Sequence, residues 1–193
     1  RLLLIAAVFG LLVYVFFRLM FGTSAGYHEP PEPMDAAGWT LVVDGSNFAH
    51  RGGDVRLRHL EDVLDSLEHY FRGARLRVFC DANLRHKFDD EDKREFEATV
   101  RKNSSEFIET HGQSADDVIL KYASDHARCI VVSNDWFSKG DELDMRQDVP
   151  LLRVERPDGG EAFPHRYVNV FDNPRKLEAR KRVPVADLLH SAS

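Results

Sequence analysis

Acidic side chains stand where apolar segments typical of buried strands end. Three such segments read TLVV, RLRVFC and CIVV, and the aspartates that follow them are Asp44, Asp81 and Asp135. The carboxyl ends of parallel strands lie at one edge of a sheet, where open α/β folds bind their ligands. We therefore expect these carboxylates to border one crevice. Asn47, in the turn after Asp44, is placed to orient an acid or a water there without adding charge.

A second acidic pair lies in the first turn of a predicted helix. Asp116 and Asp117 follow Ser114, which is a favourable N-cap residue, and the spacing from Ser114 to Asp117 fits a capping box. Acids in a first turn also interact favourably with the helix dipole, so the pair has a purely structural explanation. The alternative is a functional one. This helix leads directly into the strand before Asp135, so its amino end is placed to face the same crevice.

Convergence of Asp44, Asp117 and Asp135 would need a compensating charge. Two carboxylates about 4 Å apart repel each other by about 4 kcal/mol at an effective dielectric constant near 20. That repulsion is a large part of the stability of a typical domain. Hard oxygen ligands favour magnesium, with manganese as the alternative, over zinc. The three aspartates are therefore the predicted ligands of a magnesium ion, whose usual roles in phosphodiester hydrolysis are to activate water and shield charge.

Strand and helix patterns alternate along the chain and would position these side chains. The predicted strands are 40–43, 75–80, 129–132, 151–156 and 166–171. The predicted helices are 57–71, 91–101, 114–126 and 175–182. Alternation of this kind implies a mainly parallel sheet with helices on both faces. The predicted fold class is therefore α/β.

The amino-terminal part of the chain differs from the rest. Residues 1–22 are almost entirely apolar, and a helix of about 21 residues spans roughly 31 Å, the thickness of a hydrocarbon core. We expect a single-pass transmembrane anchor here; the alternative is a secretory signal peptide, for which TSA offers the best cleavage site. Residues 23–38 contain three prolines and are predicted to form a linker. The folded domain is then 39–193.

Charge and composition exclude several classes of protein. The net charge is −6, and without Arg1 and Arg18 the remainder has 24 basic and 32 acidic residues, or −8. Unselective, high-affinity binding of nucleic acid rests on neutralising phosphates, so this balance argues against it but permits local basic patches. The two cysteines lie in apolar strands, which indicates buried thiols rather than a zinc or disulfide framework. No dinucleotide-binding or Walker A motif is present.

Three sequence blocks together carry a resemblance to a known family. VVDGSN, ADDVILKYA and IVVSND, in this order and separation, resemble the NYN branch of the PIN-like nucleases, and within it the regnase-type ribonuclease domain found beside CCCH zinc fingers. The similarity covers about residues 39–174. It implies a Rossmann-like PIN/NYN fold, a magnesium-dependent site of clustered aspartates, and endonucleolytic cleavage of RNA.

The resemblance also implies which residues act. By position in the three blocks, the implied catalytic residues are Asp44, Asn47, Asp116, Asp117 and Asp135. Two features depart from the family pattern. Lys139 stands where related enzymes often carry a further acid, and the chain has no CCCH finger.

Basic residues near the predicted crevice are candidates for substrate binding. Arg51, Arg85 and Lys87 are predicted to contact the RNA backbone, with a solvated loop as the alternative. An RNA substrate places the domain on the cytoplasmic side of the membrane. The positive-inside rule, applied to Arg1, favours the opposite orientation, and we give the substrate more weight.

The leading prediction is a membrane-tethered, metal-dependent endoribonuclease. One alternative is a catalytically inactive RNA-binding module of the same fold. Another is a Rossmann-like phosphatase, which Ser46 argues against because a D-x-D nucleophile motif needs an acid at that position.

Overall fold

The computed structural model describes residues 30–103, 106–112, 114–135, 137, 149–157, 160–171 and 180–191. Its strands are β1 Met34–Asp35, β2 Thr40–Asp44, β3 His50–Arg51, β4 Asp54–Val55, β5 Phe71–Arg72, β6 Arg75–Asp81, β7 Glu106–Thr110, β8 Cys129–Val132, β9 Leu151–Glu155, β10 Phe163–Phe171 and β11 Arg180–Pro184. Its helices are α1 Gly45–Ala49, α2 Leu57–Tyr70, α3 Leu84–Lys87, α4 Asp90–Asn103, α5 Ala115–Asp125 and α6 Val185–His190.

One seven-stranded sheet organises these elements, in the order β11-β10-β9-β8-β2-β6-β7. The five strands from β9 to β7 run parallel, and β10 and β11 extend the sheet with antiparallel pairings. The predicted mixed α/β architecture with a mainly parallel sheet is confirmed. From β2 the chain proceeds outward through β6 and β7, and then returns to the other side of β2 through β8 and β9. This reversal places a topological switch point between β2 and β8, where such sheets open a crevice.

The central strand β2 is covered on both faces. Leu41 and Val43 belong to a large apolar core that includes the leucines of α2, whereas Val42 belongs to a second core with Ile119 and Leu120 of α5. Successive side chains of a strand point to opposite faces of the sheet. Asp44, two residues after Val42, therefore belongs to the face that α5 covers.

Strand register brings the ends of β2 and β8 level with each other. Val43 is paired with Val132 of β8 on one side and with Val78 of β6 on the other. The next residues on the two neighbouring strands are therefore Asp44 and Ser133. A carboxylate and a hydroxyl separated by 89 positions in the sequence become neighbours at the carboxyl edge of the sheet.

Two predictions of secondary structure fail for the same physical reason. Strand β7 was not predicted; it is a short, half-exposed edge strand that depends on its pairing with β6. Residues 180–182 were predicted to continue a helix but lie in β11, paired with β10, so that prediction is wrong for these residues. The preceding part of the predicted helix, 172–179, lies outside the described residues. Strand pairing overrides local propensity in both places.

The folded part also begins earlier than predicted. Strand β1 pairs with β5, and Ala36 is fully buried, so the last residues of the predicted linker 23–38 pack against the domain. Arg85 and Lys87, for which a solvated loop was the alternative to RNA contact, lie in the short helix α3.

Membrane insertion was predicted for residues 1–22, which lie outside the described residues. In the part of the chain that the structure describes, no helix has the length and apolar character needed to span a bilayer.

Close packing at Gly45 joins α1 to the sheet. A Cβ atom at this position would lie 2.4 Å from Sγ of Cys80, 2.9 Å from Cγ1 of Val78 and 3.1 Å from the carbonyl oxygen of Phe79. No side chain fits there without movement of β6. The glycine thus lets the turn after Asp44 approach the neighbouring strand directly.

We expect Gly45→Ala to lower the free energy of unfolding by about 1 to 3 kcal/mol, the usual cost of overpacking a core. Urea denaturation measures it. In a Cys80→Ala background the nearest obstructing atom is gone, so the same substitution should cost less there. Equal losses in the two backgrounds would show that the thiol contact does not set the packing of α1.

Candidate carboxylate site at the ends of the parallel strands

Asp44 is the buried centre of the site. Only 2% of the residue is exposed, and both carboxylate oxygens accept hydrogen bonds. The backbone N–H of Asn47 donates to Oδ1 at 3.0 Å, and the hydroxyl of Ser133 donates to Oδ2 at 2.7 Å. The first of these bonds caps α1, and the second joins β2 to the residue that follows β8.

Burial raises the pKa of Asp44 to about 7. The hydrogen bonds from Asn47 and Ser133 favour the charged carboxylate and oppose this rise, whereas the negative charges of Asp116 and Asp135 add to it. Repulsion of this kind identifies Asp116 and Asp135 as electrostatic neighbours of Asp44. Perturbed carboxylates of this type are characteristic of functional sites.

Helix α5 brings Asp116 to this position. Ser114 is its N-cap, as predicted, and accepts a hydrogen bond from the backbone N–H of Asp116 at 3.3 Å. Asp116 and Asp117 are both half-buried in the first turn. The structural and the functional explanations are therefore compatible, since the amino end of a helix stabilises acids that also face a strand end.

Asp135 lies in a tight turn after β8. Its backbone N–H donates to the Ser133 hydroxyl at 3.0 Å, and its Oδ1 accepts from the backbone N–H of Phe137 at 3.3 Å. Phe137 is buried in the α5-side core and has a φ of 45°. Ser133 thus serves both acids, because it donates to Asp44 and accepts from the turn that carries Asp135.

Two asparagines join this turn to its neighbours. The backbone N–H of Asn134 donates to Oδ1 of Asn47 at 3.1 Å. The side chain of Asn134 pairs with the backbone of Val154, donating to its carbonyl at 2.9 Å and accepting from its N–H at 3.1 Å. The amide of Asn134 therefore continues the β8–β9 pairing where β8 has ended.

Asp81 and Cys80 lie on the opposite side of β2. The backbone N–H of Asp81 donates to the Ser46 hydroxyl at 2.8 Å, which ties the turn after β2 to the end of β6. Burial, followed by the charges of Asp44, Asp81 and Glu109, raises the pKa of the Cys80 thiol well above its usual range. A protonated, buried thiol packs as a small apolar side chain and offers no nucleophile.

The donor chemistry of the site fits a hard cation. In the described ranges, no three or more side chains of His, Cys, Asp or Glu are grouped closely enough to hold a metal ion. Magnesium commonly keeps several waters and uses only one or two protein carboxylates, so Asp44 with either charged neighbour is a sufficient donor set. The wider set predicted from the sequence, Asp44, Asp117 and Asp135, stays a prediction.

The predicted substrate-binding residues occupy different environments. Nε and Nη2 of Arg85 both lie 2.8 Å from Oε1 of Glu109, which commits that guanidinium to an ion pair. Nζ of Lys87 lies 3.4 Å from Nε2 of His50. Arg51 is exposed in β3 and lines a cavity of about 300 Å³ beside Asn47.

That cavity contains residues that sequence reasoning missed. His59 of α2 and Arg156, just after β9, line it together with Arg51. Arg156 directly follows a parallel strand, as Asp44 ends one. The signal that singled out the aspartates would therefore have found this arginine had it been applied to basic residues.

Comparison with known proteins identifies no family. No protein-family model and no curated protein matches the chain. Among solved structures, the chain is similar to the PIN domain endonuclease Utp24, with a TM-score of 0.39 and 19% identity over 69% of this chain and 96% of that one. It is also similar to the T5 D15 protein co-crystallised with metal ions, with a TM-score of 0.35 and 16% identity over 68% of this chain and 57% of that one. Because these scores and identities are low, we base the functional proposal on the site itself.

We expect the metal-free protein to lose stability as the pH rises from about 4 to about 7. Over this range the folded state holds a proton on Asp44 that the unfolded state has released, because the pKa of Asp44 is raised from 3.8 to about 7. The contribution of Asp44 is about 4 kcal/mol at most, at roughly 1.4 kcal/mol for each pH unit. Urea denaturation in chelator at a series of pH values measures it.

The matched comparison is Asp44→Asn against Glu95→Gln, which changes an exposed acid on α4. Asp44→Asn should remove this part of the pH dependence and stabilise the metal-free protein above pH 7, whereas Glu95→Gln should leave the profile unchanged. Identical profiles for the two variants would show that Asp44 is not held with a raised pKa.

Asn134→Ala should lower the free energy of unfolding by about 1 to 3 kcal/mol, because it leaves the N–H and carbonyl of Val154 without their side-chain partners. Asn83→Ala, at an exposed position before α3, is the control and should change stability by less than about 0.5 kcal/mol. Similar losses in both variants would rule out the Asn134 bridge as a structural element.

Proposed function

We propose that this chain is a metal-dependent endoribonuclease that hydrolyses phosphodiester bonds at the carboxyl edge of its parallel sheet. The observation that carries the proposal is the state of Asp44. It is buried, level with the switch point between β2 and β8, and its pKa is raised chiefly by that burial and further by the charges of Asp116 and Asp135. An arrangement that destabilises the isolated fold is typical of a site kept for function.

A divalent cation is the natural complement of this charge. Asp44, with Asp116 or Asp135, would supply its carboxylate ligands, and Asp117 remains a further candidate from the sequence. Magnesium, or alternatively manganese, supplies Lewis-acid chemistry when bound, which activates water and offsets negative charge at a phosphodiester. The same charge would hold Asp44 ionised at neutral pH, where its raised pKa of about 7 leaves it partly protonated.

The protein's own residues would keep this site ordered before any ligand arrives. Ser133 orients Asp44 through its hydroxyl and Asp135 through the turn, so one side chain positions two acids. Asn47 holds the same turn through Asn134. In this proposal Asn47 acts mainly as a positioning residue, since its side-chain oxygen is already engaged.

RNA as the substrate is supported by the three sequence blocks that resemble regnase-type ribonuclease domains. The acidic net charge of the chain requires that a nucleic acid be held by local basic groups. Two residues supply such groups. Lys87 contacts His50, and Arg51 lines the same cavity as His50 and Asn47. Residues 1–22 would anchor the protein in a membrane, with the domain on the cytoplasmic side where RNA is present.

A second candidate is an RNA-binding module without catalysis. It is favoured by Lys139, which stands where the resemblance leads one to expect an acid. The two candidates differ in a single property, which is cleavage in the presence of magnesium.

We expect the full chain in a non-ionic detergent to cut a closed circular single-stranded RNA when magnesium is present and to stop when chelator is added. A circular substrate has no ends, so cutting it demonstrates endonucleolytic action. Asp44→Asn and Asp135→Asn should each reduce the rate by about 100-fold or more. Gel electrophoresis of the labelled RNA measures the rate.

Asp116→Asn should reduce the rate more than Asp117→Asn, because the charge of Asp116 is the one coupled to Asp44. Glu95→Gln is the control and should retain full activity. RNA binding without magnesium-dependent cutting would reject the enzyme and support the inactive module.

A further inference from the structure

The cavity beside Asn47 lies next to the turn that carries Asp135, because Asn134 of that turn is in its lining. It measures about 300 Å³, and its polar lining comes from Asn47, His50, Arg51, His59, Asn134 and Arg156. We call it the basic pocket. Asn47 and Asn134, hydrogen-bonded to each other, form the wall that the basic pocket shares with the turn carrying Asp135. A ligand lying across the carboxylate site would therefore reach this pocket with an adjoining part.

Positive charge dominates the basic pocket. The side chain of Arg156 is only 13% exposed, and its Nη2 donates to Oδ2 of Asp62 at 2.6 Å and to the carbonyl of His59 at 3.3 Å. These contacts hold the guanidinium in one orientation. Burial lowers the pKa of Arg156, Asp62 opposes that effect, and the neighbouring charges of Arg51 and Arg58 lower it further. Arg51 and Arg156 are thus the arginines of the lining, and Arg58 lies close enough to act on the charge of Arg156.

The two histidines continue the polar lining. Nδ1 of His50 lies 2.6 Å from the carbonyl oxygen of Ser46, so this nitrogen carries a proton and donates it. Nε2 of the same ring lies 3.4 Å from the ammonium of Lys87, which adds a positive charge beyond His50. Nδ1 of His59 lies 3.4 Å from the carbonyl oxygen of Ala49. A band of positive charge therefore extends from Lys87 past His50 and Arg51 to Arg156.

We propose that the basic pocket binds a backbone phosphate of the substrate RNA next to the phosphate that is cleaved. This inference rests on the proposed function for its substrate class. A fixed, planar guanidinium suits the paired oxygens of a phosphate better than a mobile ammonium does. A cluster of acids repels the strand that it must bind, and an adjacent cationic subsite offsets that repulsion. The bound RNA would then run from the carboxylates over the Asn47–Asn134 wall into the basic pocket, and this fixes its path across the protein surface.

Binding and cleavage test different parts of this reasoning, so the experiment measures them separately. The full chain, in a non-ionic detergent and with chelator, is titrated into a short fluorescein-labelled single-stranded RNA, and anisotropy gives the affinity over a range of salt concentrations. Cleavage of the same RNA is then measured with magnesium. Binding tests the basic pocket whether or not the protein cleaves.

The variants remove charge from the basic pocket or from elsewhere. Arg51→Gln should weaken binding by about tenfold and make the salt dependence shallower by about 1 in the log–log slope, since fewer counterions are released. Arg75→Gln is the control, because this exposed arginine begins β6 at the opposite end of the sheet. It should bind like the unaltered protein.

Arg156 requires a paired variant because its removal alone leaves Asp62 without its partner. Arg156→Gln combined with Asp62→Asn removes both charges, and it should also weaken RNA binding about tenfold while circular dichroism shows an intact fold. Arg156→Lys should give an intermediate affinity, because the charge remains but the planar fork is lost.

Several results would overturn the inference. Pocket variants that bind RNA with the affinity and salt dependence of Arg75→Gln would do so, even if the unaltered protein cleaves RNA. Binding of a nucleoside monophosphate without binding of RNA would show a small-molecule site instead.

Weakened RNA binding in the pocket variants of a protein that never cleaves RNA would uphold the basic pocket as an RNA-binding site and reject the nuclease proposal.

Discussion

The site depends on one constraint, which is a carboxylate that is almost fully buried at the end of the central strand. β2 has a strand on each side and a packed layer on each face, so only 2% of Asp44 is exposed. A buried charge is costly unless it is hydrogen-bonded or paired. Two donors satisfy its oxygens, yet they do not cancel the cost, and the pKa of Asp44 is about 7. A bound cation would offset the remaining free-energy cost of keeping Asp44 charged.

The neighbouring structure follows from holding this group in place. Ser133 must lie level with Asp44, which requires the parallel register of β2 and β8. The turn after β2 must approach β6 closely, which requires a residue without a side chain at position 45. The turn after β8 must stay ordered beyond its last paired residue, and Asn134 achieves this by bonding to the backbone of Val154. Each contact is local, but together they join three adjacent strands at one edge.

Acidic and basic side chains occupy different parts of the structure, although the chain is acidic as a whole. The acids gather on the α5 side of the β2 end, and the arginines gather beyond Asn47 and Asn134, around α2 and the end of β9. Separation of the two signs by a pair of neutral amides keeps the arginines from neutralising the carboxylates directly. An acidic protein can in this way bind a polyanion at one place without attracting it over its whole surface.

The amino-acid sequence by itself determined the buried strands, the leucine face of α2, the cap at Ser114 and the acids at the strand ends, because each is a local pattern of apolar period or residue type. It could not distinguish Asp116 from Asp117 as the neighbour of Asp44, since that depends on how α5 lies against β2. Strands β7 and β11 escaped sequence reasoning because their stability comes from pairing with β6 and β10. Only the tertiary structure decided that Arg156 and Arg51 line one cavity. Contacts between residues about a hundred positions apart are set by strand order and register, which local patterns do not encode.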